Sequence, residues 1–63
     1  MNLDDIMKKE IWSMKDIALY IGKSVSGAYA FVSRTPNFPK EINLGDAHKR
    51  WNAKKVRAWF LNR

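Results

Sequence analysis

Apolar residues recur along this chain in two rhythms, one helical and one alternating. Met14, Ile17, Ala18 and Ile21 fall at the i, i+3, i+4, i+7 spacing that lines one face of a helix. Ser13 stands before the run as an N-cap, Asp16 three positions later approximates a capping box, and Trp12 ahead of the cap is placed to pack on Ile17 as a hydrophobic staple. Gly22 follows as the residue expected just past a helix C-terminus. A second short helix is predicted to start at the cap Ser24, with Ala28, Phe31 and Val32 on its inner side. Its opposite face is small and rich in hydroxyls: Lys23, Ser24, Ser26, Gly27, Ala30 and Ser33. A solvated helix more often carries Glu and Lys there, which favour helix and water together. Two readings stand. Either small side chains let this face approach a partner, or the serines are ordinary surface residues and Gly27 lets the two helices pack closely.

Pro36 and Pro39 end this unit, and Phe38 between them is expected to turn inward. The rhythm then changes to alternation. Glu41 to Leu44, the turn residues Gly45-Asp46-Ala47, and His48 to Trp51 read as a β-hairpin whose inner residues are Ile42, Leu44 and Trp51. Two strands alone are marginal in water, so the hairpin must lean on helices, as a wing does. Asn52 can cap a last helix from Ala53 to about Asn62, with Val56, Trp59 and Phe60 inside and Lys54, Lys55 and Arg57 outside. Trp51 and Trp59 are both expected to pack in the core. The expected fold is mainly α with a small β-hairpin: residues 12–63 form one domain, and residues 1–11 an arm or short helix capped by Asn2 and loosely docked on the core.

Length makes stability the first constraint. A chain of 63 residues buries only about 60% of its unfolded surface and is marginal for that reason. With no cysteine, neither a disulfide nor a thiolate zinc site can help, and an intracellular setting is the easier reading. Three Trp, three Phe and two Tyr must supply the buried area. No stretch is long and apolar enough for a membrane span, and the acidic start Asn2-Leu3-Asp4-Asp5 is unlike a signal peptide, so a cytoplasmic protein is expected.

Charge changes the picture most. Residues 1–16 carry three basic and four acidic side chains, whereas residues 17–63 carry nine and two, so the net charge of +6 belongs to the body of the domain. Such a field suits a polyanion, through release of counterions from phosphates. Simple solubility is the plainer alternative. Two short helices across Gly22-Lys23 in a basic domain have the layout of a helix-turn-helix, in which the second helix enters the DNA major groove. The candidate groove residues are Lys23, Ser24, Ser26, Tyr29, Ala30, Ser33 and Arg34, with hydroxyls and helix amides on phosphates and Ser26, Tyr29 and Ala30 against base edges and thymine methyls. Lys40, Asn43, His48, Lys49 and Arg50 are the candidates on the wing, which would reach the flanking minor groove or backbone. Arg50 has a second reading, as a surface cation paired with Glu41 across the hairpin.

Enzymatic chemistry finds no support. There is no Gly-rich phosphate loop, no Cys nucleophile and no paired acid and base, and the single His48 lacks partners for a metal site, so neither metal nor cofactor is expected. Binding to a membrane surface is not expected either, because the last helix needs its Trp and Phe for the core.

The run Trp12-Ser13-Met14-Lys15-Asp16-Ile17-Ala18, then Ile21-Gly22-Lys23-Ser24, Tyr29, Phe38-Pro39-Lys40, Leu44-Gly45, Arg50-Trp51 and Val56-Arg57-Ala58-Trp59-Phe60, resembles the AlpA and excisionase group of small phage and prophage proteins. The resemblance covers about residues 12–61. It implies a MerR-like winged helix-turn-helix, and a role as a recombination directionality factor, a transcriptional regulator, or both. By position, Lys23, Ser24, Ser26 and Tyr29 fall on the group's major-groove segment, and Lys49 and Arg50 on its wing. Val25 and Ala30 stand where the group usually has Arg or Lys, so DNA shape and apolar contact with thymine are expected to weigh more in readout. The implied partners are double-stranded DNA, an integrase, and further copies of the chain on DNA, with a monomer in solution. The alternative is a small protein-interaction module that antagonises a recombinase or repressor.

Overall fold

The computed structural model describes residues 2–42 and 49–62. Among them are α1 (Leu3–Met7), β1 (Ile11–Trp12), α2 (Met14–Ile21), α3 (Val25–Ser33), β2 (Trp51–Asn52) and α4 (Ala53–Leu61). Among the described residues the fold is mainly α with one small antiparallel ladder.

Each helix begins where a side chain can take an orphan amide. Asn2 Oδ1 accepts from Asp5 N–H at 3.0 Å, Ser24 Oγ from Gly27 N–H at 3.0 Å, and Asn52 Oδ1 from Lys55 N–H at 3.0 Å. At α2 the reach runs backwards: the Asp16 carboxylate accepts from the Ser13 N–H at 3.0 Å and from its hydroxyl at 3.3 Å. Gly22 closes α2 in the left-handed region, φ 72° and ψ 34°, and the Lys23 N–H then reaches the Ala18 carbonyl at 2.9 Å.

The core holds Ile6, Trp12, Met14, Ile17, Ala18, Ala28, Phe38, Trp51, Ala53 and Val56. Ala28 is the small residue that brings α3 onto this core. The space beside Gly27 faces elsewhere, since a Cβ there would meet Ser24 Oγ at 3.3 Å and Lys23 Cβ at 3.4 Å. Close helix packing is therefore not what Gly27 provides. Phe31, Phe38, Trp59 and Phe60 form one aromatic cluster, which continues through Tyr20 (ring centroids 5.5 Å from Phe60) to Trp12 (5.1 Å from Tyr20).

Four expectations need correction. The ladder joins β1 to β2, with Trp12 opposite Trp51 and Ile11 opposite Asn52, whereas Ile11 is expected to end the arm and Trp12 to serve as the staple before α2. Directly opposed residues share a face, so this register turns both tryptophans inward together. Of the expected hairpin, an antiparallel bridge joins Ile42 to Arg50, and Asn43, Leu44, Gly45, Asp46, Ala47 and His48 lie outside the described residues. Ile42 consequently shares its face with Arg50 and is separated from Trp51, one position on, which corrects its assignment to the core.

The N-terminal segment is also more firmly held than a loose arm. Ile6 is fully buried, its carbonyl accepts from Trp12 Nε1 at 2.8 Å, and Lys9 Nζ lies 3.2 Å from the buried carboxylate of Asp16. Finally, Arg57 is half-buried and lies off the solvated outer face of α4. Its guanidinium sits 5.8 Å above the Trp12 ring, where the ladder has delivered an aromatic face for a cation to cover.

Candidate functional site

The Trp12–Trp51 pairing also determines what meets at the surface. Past the Trp12–Trp51 pair the chain continues to Ser13 and the start of α2 on one side and to Arg50 on the other, and these line one cleft. The αL turn at Gly22 then folds α3 back beside α2. The result is a cleft lined by Ser13, Met14, Lys15, Val25, Tyr29, Lys49 and Arg50. Among the described lining residues three are cationic and none is acidic, which suits an anionic ligand.

Of the sequence candidates, Tyr29, Lys49 and Arg50 meet in this cleft. Tyr29 is 48% exposed, far more than a ring serving only the core. Ser26, Ala30 and Ser33 are exposed and lie about 40 to 100° further round α3 than Tyr29, on its outermost face. Lys23 and Ser24 are exposed at the turn before α3. Ser24 Oγ already accepts the Gly27 N–H, which leaves its O–H as the group to offer a partner. Arg34 is exposed but folds back, with Nε donating to the Ala30 carbonyl at 3.3 Å. Lys40 is exposed and does not line the cleft. Asn43 and His48 lie outside the described residues.

Arg50 does not pair with Glu41. Its cross-strand neighbour is Ile42, which puts Glu41 on the other face, and Nη1 donates instead to the Lys49 carbonyl at 2.9 Å. That bond leaves the charge without a carboxylate partner among the described residues. Lys15 and Val25 were missed from the sequence. The signal for Lys15 was its position in the first turn of α2, off the Met14–Ile17–Ala18 face. For Val25 it was the i, i+4 relation to Tyr29, which puts both on one flank of α3.

Among the described residues no group of three or more His, Cys, Asp or Glu side chains comes together to hold a metal, and no helix is long and apolar enough to cross a membrane.

Residues 7–61 match the model of a protein family described as "Uncharacterised protein". The chain belongs to that family. No curated protein and no solved structure matches the chain.

Proposed function

We propose that this protein binds double-stranded DNA as a MerR-like winged helix-turn-helix, with α3 in the major groove and the segment around Lys49 and Arg50 as the wing. The observation that carries the reading is the convergence of Lys15, Tyr29, Lys49 and Arg50 on one cleft that, among the described residues, has no acidic side chain. A duplex seated there would meet the outer face of α3 and the wing at once. The net charge of +6 and the resemblance to the AlpA and excisionase group support the same reading. Within that group's repertoire, the protein would act on recombination as a directionality factor, on transcription, or on both.

Four to six phosphate contacts correspond to a log-log salt slope of about −4 to −5. Binding of a labelled duplex measured from low to moderate salt tests this directly, and Lys23→Ala, Tyr29→Ala and Arg50→Ala should each weaken it. Salt-insensitive binding, or unchanged affinity in all three variants, would sink the proposal.

A second reading draws on a different observation. Val25 is 39% exposed, and α3 carries no cation from Val25 to Ser33, as an interface with a protein would allow. This reading expects a recombinase or repressor to be retained after nuclease treatment. Loss of the partner together with the DNA would reject it.

A further inference from the structure

A second cationic cleft lies at the other end of the ladder, between the turn after α1 and the start of α4. Lys8, Lys54 and Arg57 line it beside Ile11 and Asn52, and Glu10 is its one acidic residue among those described. Lys9 also borders it but is engaged by Asp16. Lys8 and Lys54 are exposed, and neither side chain has a hydrogen-bond or ion-pair partner among the described residues. The Arg57 charge is fixed at the cleft wall by its seat over Trp12.

Strand geometry relates the two clefts. Side chains two residues apart on a strand point to the same side, so Arg50 and Asn52 share the face opposite Trp51, and Ile11 across from Asn52 shares it too. The separation along the strand is about 6.8 Å. One strand of B-DNA advances one phosphate every ~3.4 Å along the helix axis, so a backbone touching Arg50 presents further phosphates within reach of Lys54 and Lys8. Resting on the DNA-binding reading above, we infer that the Lys8–Lys54 cleft is a second phosphate-backbone site, which extends the contact surface past the wing along the outer face of the ladder.

The test is fluorescence anisotropy with a fluorescein-labelled mixed-sequence duplex of ~20 base pairs, about two turns at the helical repeat of DNA. It is run over a range of NaCl concentrations on the full chain. Lys8→Ala/Lys54→Ala is compared with Arg50→Ala and with the control Lys55→Ala, thermal melts confirming that each variant folds. Each lost phosphate contact should reduce the slope by about 0.9 and weaken binding roughly eightfold at 0.1 M salt. The double variant should therefore lose about 1.8 in slope and roughly sixtyfold in affinity, and the control much less. Glu10→Gln, which removes the carboxylate facing the same phosphates, should bind more tightly than the parent. If Arg50→Ala weakens binding while the double variant behaves like the control, this second site is refuted and the DNA-binding reading survives. If the parent shows no salt-sensitive binding, both fall.

Discussion

Asp16 is the buried charge on which the N-terminal half of the fold converges, and its removal is the sharpest test of that half. The carboxylate is 2% exposed and receives the Ser13 N–H, the Ser13 hydroxyl and Lys9 Nζ. Asp16→Ala strips the cap amide of its acceptor, and a hydrogen bond to a charged group contributes about 1.5–3 kcal/mol. The ion pair adds less, because the Lys9 side chain is 42% exposed and water screens it; about 0.5 kcal/mol is a fair share. Together these give a cost near 3 kcal/mol, most of the ~3–5 kcal/mol a core of this size supplies. Asp16→Asn keeps an acceptor oxygen for the Ser13 amide and should cost about half as much, and Lys9→Ala about 0.5 kcal/mol. Urea denaturation followed by tryptophan fluorescence reads all three, since Trp12 and Trp51 are fully buried and become exposed on unfolding. The expected order of loss is Asp16→Ala, then Asp16→Asn, then Lys9→Ala. A Lys9→Ala cost equal to that of Asp16→Ala would show that the ion pair dominates the cap, and an Asp16→Ala cost under about 1 kcal/mol would refute the argument altogether.

Three further outcomes follow from the packing. Ile6→Ala should cost about 2–4 kcal/mol in the same denaturation experiment, because a fully buried side chain leaves a cavity; a cost near zero would mean that the N-terminal segment adds nothing to the core. Gly22→Ala should cost about 1 kcal/mol from its left-handed backbone alone, since no atom lies within 4 Å of the added methyl, and Gly22→Asn, measured alongside, should cost less. Gly27→Ala should stay within about 1 kcal/mol of the parent by thermal melting, the gain in helix propensity offsetting a tight contact with Ser24 and Lys23.

Local rules carried the helices. Ser13, Gly22, Ser24 and Asn52 mark element ends through bonds that span three to five residues, and the 3.6-residue period chose Ile17, Ala28 and Val56 for the interior. Those decisions need no knowledge of distant chain, so they can be read in order. Tyr29 and Arg50 were legible as candidates on the same terms, one from its exposed flank of a short helix and the other from its place beside an inward tryptophan.

The meeting of these parts was a different matter. A ladder of two residue pairs carries too little alternation to announce itself, and the partner of Ile11 and Trp12 lies near the far end of the chain. Arg57 looked outward by period alone until that ladder set Trp12 beneath it, and Ile42 looked inward until its bridge put it across from Arg50. Asp16 read as a cap, but the lysine that meets its charge comes from beyond a bend. The sequence by itself determined which segments form helices, where they stop and which apolar residues those helices turn inward, because those choices rest on neighbours along the chain. Only the tertiary structure decided that Lys15, Tyr29 and Arg50 would line one cleft, because that depends on two tryptophans, far apart in sequence, sharing one face of a strand pair.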